Sequence, residues 1–264
     1  MVRILILADI HANREALDAV LADAGDCAAI WCLGDMIGYG PEPASCLRWA
    51  RAHCAFVLAG NHDLAAVAPA HLERFNPAAR AAAEWTQAQL DAEDCAYLRS
   101  LPSAQPVPYA AITPLMTPPA PESGSDVLLA HGSPACPPEG PVWTYILTAI
   151  EAVEAFDAPE FPGSLCFVGH SHVAAAYQRT DAGTFRVAGA ADTVLDVSDA
   201  RYIINPGSVG QPRDRDPRAA YLIYDPRTHT AEWHRVAYDI AATQAKMRTA
   251  DLPDRLIARL ARGT

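Results

Sequence analysis

With 264 residues, 51% of them hydrophobic and 19% charged, the chain can bury a large core and is too apolar to be disordered. A net charge of −11 argues against a protein whose task is to grip a nucleic-acid backbone, so an anionic substrate must be met by locally placed cations. No apolar run approaches the roughly 18 residues of a membrane span, and the start MVRILILADIH lacks the basic lead and length of a secretory signal, which predicts a cytoplasmic protein with no membrane partner.

The first elements alternate. VRILILA at 2–8 is a short, β-branched apolar run of the kind found in buried strands, and NREALDAVLADA at 13–24 repeats leucine and alanine at helical spacing. CAAIWCL at 27–33 and AFVLA at 55–59 predict two more strands, with a helix over 43–52 between them. This alternation predicts an α/β fold with a helix-covered sheet.

Residues 64–102 carry no strand pattern but two helix starts, at Asn76-Pro77 and at Asp91, and predict a helical cap. Prolines crowd the stretch from 101 to 126, which predicts a mobile extended loop. The segment 64–125 therefore reads as a cap and a proline-rich loop inserted in one domain spanning 1–264. DVLLA at 126–130 and SLCFV at 164–168 resume the strands, with a helix over 145–156 between them. AAAYQ, TFRVA, RYIIN, AAYLIY and TAEWHRV then follow in quick succession and predict an antiparallel meander forming a second sheet. From 239 onward the pattern is that of an amphipathic helix.

Polar motifs close the strands. Asp9-x-His11 ends the first, and the two-residue period of an extended chain points both side chains to one side. Gly34-Asp35 ends the second strand, Gly60-Asn61-His62-Asp63 the third, His131-Gly132 the next and Gly169-His170-Ser171-His172 the one after. Because ligands of α/β sheets bind beyond the carboxyl ends of the strands, these donors converge on one place. Asp9, His11, Asp35, Asn61, His131, His170 and His172 are too many for one tetrahedral zinc and suit two ions roughly 3.5–4 Å apart. Glycine before Asp35, Asn61 and His170 allows tight backbone turns. Four imidazoles with no cysteine favour manganese or iron over calcium or structural zinc, and Mn, Fe, Zn and Ni all remain open. The seven cysteines are scattered without a C-x-x-C pair and form neither a disulfide framework nor a zinc knuckle.

The ordered set D-x-H, G-D, G-N-H-D, H and G-H-x-H resembles the calcineurin-like metallophosphoesterases. Gly38-Tyr39-Gly40-Pro41, the helical stretch at 75–101, His131-Gly-Ser-Pro134 and NPGSVGQPR at 205–213 resemble their small prokaryotic single-domain branch. The resemblance implies a four-layer αββα sandwich of two mixed β-sheets flanked by helices, with the helical cap inserted. It implies that Asp9, His11 and His172 hold one metal, that Asn61, His131 and His170 hold a second, and that Asp35 bridges them. It also implies that His62 acts on the scissile phosphate as a non-ligand catalytic histidine, and that hydroxide formed at the metals attacks the phosphate in line.

Any one of these histidines alone reads more simply as a core or surface residue; the ordered set does not. His53, His71, His229 and His234 belong to no motif and are given no role. Arg213 is a candidate grip on a phosphate, while Arg215 and Arg218, interleaved with Asp214 and Asp216, read equally as solvated ion pairs. Asn13 and Tyr39 follow metal-binding loops and are candidate substrate contacts, with a packing role as the equal alternative. The expected partner is a small phosphorylated molecule, a mono- or diester such as a nucleotide or dinucleoside polyphosphate. A serine/threonine-type protein phosphatase and a non-catalytic scaffold of the same fold are the alternatives.

Overall fold

The computed structural model describes residues 2–115, 126–135 and 143–264. In chain order its strands are β1 (Ile4–Leu7), β2 (Ala29–Cys32), β3 (Phe56–Val57), β4 (Ala104–Val107), β5 (Val127–Ala130), β6 (Leu165–Val168), β7 (Ala175–Thr180), β8 (Gly183–Ala188), β9 (Val194–Asp196), β10 (Arg201–Asn205), β11 (Ala219–Asp225) and β12 (Thr230–Val236). They form two six-stranded mixed sheets, ordered β3-β2-β1-β11-β12-β9 and β4-β5-β6-β10-β7-β8. Within the first, β1 runs parallel to β2, and β2 to β3; within the second, β5, β6 and β10 run parallel.

The alternation of β1 explains the layering. Ile4 and Ile6 face the second sheet, in a core with Trp31, Phe167, Tyr202, Leu222 and Trp233. Leu5 and Leu7 face the other way, against α1 (Arg14–Ala24) and α2 (Pro43–His53), through Leu17, Val20 and Leu47. All four residues of β1 are buried because both its faces are covered, and each such side chain contributes about 1.5–3 kcal/mol of transfer free energy. The outer face of the second sheet lies under α7 (Ala149–Phe156), through Leu128, Cys166, Ile203 and Phe156. The result is the expected αββα sandwich.

The cap also forms. After the short α3 (Asn61–Ala65), a 3₁₀ turn over Pro69–Arg74 leads into α4 (Pro77–Gln87) and α5 (Ala92–Ser100). The Asn76 and Asp91 side chains accept the expected N-cap hydrogen bonds. Ala79 and Ala82 of α4 pack with Tyr39 and with Met247, Leu256 and Ile257 from the end of the chain, so the cap is tied to the body.

Several expectations need correction. The late strands are not one meander: β11 and β12 join the first sheet, with β11 antiparallel beside β1, and only β7, β8 and β10 join the second. The short edge strand β9 has no counterpart in the sequence reading. Within the proline-rich stretch, β4 pairs antiparallel with β5, and α6 (Tyr109–Ile112) follows it. Pro106 is tolerated because β4 is an edge strand, with one side free of ladder bonds. Residues 116–125 of that stretch lie outside the described residues. The final helix is two, α8 (Ile240–Thr249) and α9 (Asp254–Leu260), broken at Pro253. Among the described residues, no helix is long and apolar enough to cross a membrane.

Candidate metal centre

The five motifs meet where β1, β2, β3, β5 and β6 end, at the carboxyl ends of the parallel strands of both sheets. Two groups of donors result: Asp9, His11, Asp35 and His172 in one, and Asp35, His131 and His170 in the other, the atoms of each group within 4.8 Å of one another. Asp35 belongs to both. Its Oδ2 lies 3.6 Å from His11 Nε2 and 3.4 Å from His131 Nε2. Asn61 Oδ1 lies 3.3 Å from His131 Nε2, which places the amide beside the second group.

Hydrogen bonds donated to backbone carbonyls orient the imidazoles. The Nδ1 atoms of His11, His131 and His172 lie 3.1, 2.8 and 2.6 Å from the carbonyl oxygens of Ile37, Leu33 and Gln211. Those carbonyls accept only if Nδ1 carries the proton, so in the neutral rings of His11 and His172, whose pKa values burial lowers, each Nε2 presents a lone pair to the centre. His11 Nε2 and His172 Nε2 then face each other at 3.0 Å. Among the described residues, the buried Asp9 Oδ2 and Asp35 Oδ2 have no well-aligned hydrogen-bond donor. Opposed lone pairs and orphaned buried carboxylate oxygens are what a cation would resolve, so these residues fit a metal centre.

The electrostatics of the protein alone carry the same sign. Burial pushes the Asp9 carboxyl up to about 7. Burial works against the Asp35 charge too, yet His131, His62 and His11 hold its carboxyl well below the usual range. Burial lowers His62 to about 4 and His170 to about 3, whereas at His131 it is outweighed by Asp35, which raises that ring to about 9.

The backbone departs from the expected geometry. Asp9 and His11 lie beyond the last residue of β1, at φ 55° and 49°, so their convergence comes from left-handed turns and not from strand alternation. Asp35, His170 and His172 also have positive φ, of 53°, 66° and 59°. Each such residue costs about 1–3 kcal/mol, a concentration of strain typical of functional sites. The turning expected of the preceding glycines is thus done largely by the ligands. Gly60 is required for room instead: a Cβ there would sit 2.1 Å from Asp35 Oδ1.

A ring of supporting groups fixes these loops. The Asp63 carboxylate accepts from the backbone N–H groups of Gly60, Ile37 and Met36, at 2.9, 3.2 and 3.3 Å. Asn205, at the end of β10, donates to Gly169 O and Ser171 Oγ. Ser208 Oγ donates to Asp9 O and accepts from Gln211 N–H.

A cavity of about 220 Å³ opens at the centre, lined by Asp35, Asn61, His62, His170 and His172 together with Tyr39 and Arg213. His62 is 5% exposed, held between the rings of Tyr39 and Phe75, with its Nδ1 unpartnered. Asn13 is not at the cavity. Its amide caps α1 by accepting from Ala16 N–H, accepts from Thr243 Oγ1 and donates to Gly210 O, so its side chain is fully engaged in packing. Arg218 pairs with Asp216, as the ion-pair reading expected. The sequence reading missed the cap residues His71, Arg74, Phe75 and Asn76, as well as Trp143 and Tyr145, all of which line the cavity. Tyr145 stacks on His170, with ring centroids 4.2 Å apart and planes 5° from parallel.

The family model of the calcineurin-like phosphoesterase superfamily domain matches residues 2–229. The chain belongs to this superfamily. An uncharacterized protein of Methanocaldococcus jannaschii is 33% identical over 259 residues, covering 97% of this chain and 96% of its own. Among solved structures, a metallophosphoesterase from Sphaerobacter thermophilus is 44% identical, covers 100% of this chain and 99% of its own, and superposes with a TM-score of 0.82. A hypothetical protein from Pyrococcus horikoshii OT3 shares the fold, with a TM-score of 0.74 at 20% identity over 100% of this chain and 99% of its own. Membership of a calcineurin-like phosphoesterase family supports hydrolase activity, and the clustered histidines and aspartates make its site suited to divalent metal.

Proposed function

We propose that the protein is a dinuclear metal-dependent phosphoesterase that hydrolyses a small phosphate mono- or diester. The observation that carries this reading is the position of Asp35, shared between two donor groups that otherwise use different residues. Asp9, His11 and His172 with Asp35 would hold one ion, and Asn61, His131 and His170 with Asp35 the other. When bound, the ions supply Lewis acidity that lowers the pKa of water and withdraws charge from the phosphoryl oxygens. The chain's own residues do the rest. His62, which lines the cavity, is placed to donate a hydrogen bond to the reacting phosphate or a proton to its leaving oxygen. Tyr39 and Phe75 hold that ring in one orientation and keep water from its flanks. Arg213, which also lines the cavity, supplies a fixed positive charge to the anionic substrate.

The partly enclosed cavity between cap and body favours a small substrate over a folded phosphoprotein. The test is turnover by the manganese-loaded protein of nitrophenyl mono- and diesters, nucleotides, dinucleoside polyphosphates, phosphopeptides and DNA, with and without a chelator. Hydrolysis of small esters, lost on chelation and restored by metal, is the expected result. Preference for phosphopeptide or DNA would overturn the substrate class, and chelator-resistant turnover would overturn the metal dependence.

A further inference from the structure

We propose that Arg74 of the cap and Arg213 of the body grip a second anionic group of the substrate from two sides, so that the site selects esters carrying a further phosphate beside the scissile one. This rests on the phosphoesterase reading and adds a substrate class to it: polyphosphorylated small molecules.

The chain carries 31 acidic residues against 20 basic ones, and several of its arginines pair with carboxylates. Arg48 pairs with Asp94, Arg51 with Glu93, Arg80 with Glu84 and Arg235 with Asp214. Arg74 and Arg213 both line the cavity, and among the described residues neither pairs with a carboxylate. The polar partners of the Arg213 guanidinium are neutral, Gln211 Oε1 at 3.0 Å and Tyr39 Oη at 3.5 Å, and its buried Nε has none. Arg259 of α9 lies close enough for the two charges to repel: burial, and then Arg213, lower the Arg259 pKa. In an acidic protein, guanidiniums that line a cavity with no carboxylate bonded to them make a place prepared for an anion.

The two arginines are held in different ways. The Arg213 backbone N–H donates to His172 O at 3.1 Å, which ties its position to the candidate metal loop. Arg74 ends the 3₁₀ turn of the cap. The next residue, Phe75, packs on His62 at 4.6 Å, and Asn76 caps α4, so the backbone is fixed there while the Arg74 side chain is exposed. A scissile phosphate would be neutralised by the ions; charge beyond it would meet these guanidiniums, whose forked N–H groups match phosphate oxygens.

The experiment compares adenosine triphosphate with nitrophenyl phosphate as substrates of the manganese-loaded protein, and measures binding of methylenebisphosphonate against methylphosphonate by thermal shift. Arg74→Ala should lower kcat/KM for the triphosphate roughly 10- to 100-fold, mainly through KM, the range for a hydrogen bond to a charged group. The loss on nitrophenyl phosphate should be several-fold smaller, and metal content should stay at the wild-type value. Arg74→Lys, which keeps the charge, should recover part of the loss. Equal losses on both substrates, or bisphosphonate binding unaffected by Arg74→Ala, would overturn the proposal. The binding measurement needs no turnover. If neither ester is hydrolysed, the phosphoesterase reading fails, while weaker bisphosphonate binding in Arg74→Ala and Arg213→Ala would still support the grip.

Discussion

The Nε2 atoms of His11 and His172 face each other 3.0 Å apart, while the Nδ1 atoms of both rings are engaged by backbone carbonyls. Two lone pairs cannot approach so closely without a cation or a proton between them, and the neighbouring Asp9 and Asp35 are buried with unpartnered oxygens. Metal should therefore stabilise the fold. With free ion at 100 times its dissociation constant, one site adds about 2.7 kcal/mol, a rise in Tm of roughly 5–10 °C for a chain of this size. Differential scanning calorimetry of chelator-treated and manganese-loaded protein checks this; coincident transitions would contradict it.

Asp35 is common to both donor groups, so Asp35→Ala should lower the occupancy of both sites and abolish turnover. Elemental analysis after dialysis reads the effect. Retention of either ion at the wild-type level would show that the carboxylate does not bridge.

His62 carries no metal under this account and touches only the reacting phosphate. His62→Ala should keep the wild-type metal content yet lose roughly 10² to 10⁴ in kcat, the usual worth of a general acid. A metal-free variant, or one with normal turnover, would remove His62 from this role.

Much of the centre was legible because its donors stand next to strand ends: once AIWC is read as a strand, Asp35 has little choice of location. The cap side was not legible. Arg74 and Phe75 are brought to His62 by the packing of the 3₁₀ turn and α4, which no local period encodes. For Asn13 the structure favours packing over substrate contact, and the signal was present: an asparagine directly before a helical pattern is an N-cap, and its side chain does cap α1. The division of the late strands between sheets was also hidden, since pairing is long-range. One clue was available in AAYLIYD, whose unbroken apolar run suits a central strand covered on both faces, as β11 proves to be.

Asp63 offers a prediction about support and not chemistry. Its carboxylate holds the N–H groups of Gly60, Met36 and Ile37, and Ile37 O in turn orients His11. Asp63→Ala leaves those donors without their acceptor, at about 1–3 kcal/mol for each that finds no water. Urea unfolding of the metal-free variant should show a loss of about 3 kcal/mol or more, and its metal affinity should fall roughly 10- to 100-fold, as when an orienting partner of a ligand is removed. A variant with wild-type stability would mean that these N–H groups find other acceptors.

The most direct test of the dinuclear centre is anomalous diffraction from crystals of the manganese-loaded protein, collected at the manganese edge. The account predicts two peaks per chain, about 3.5–4 Å apart, with Asp35 between them, Asp9, His11 and His172 around one, and Asn61, His131 and His170 around the other. A single peak, or two that do not share Asp35, would contradict it.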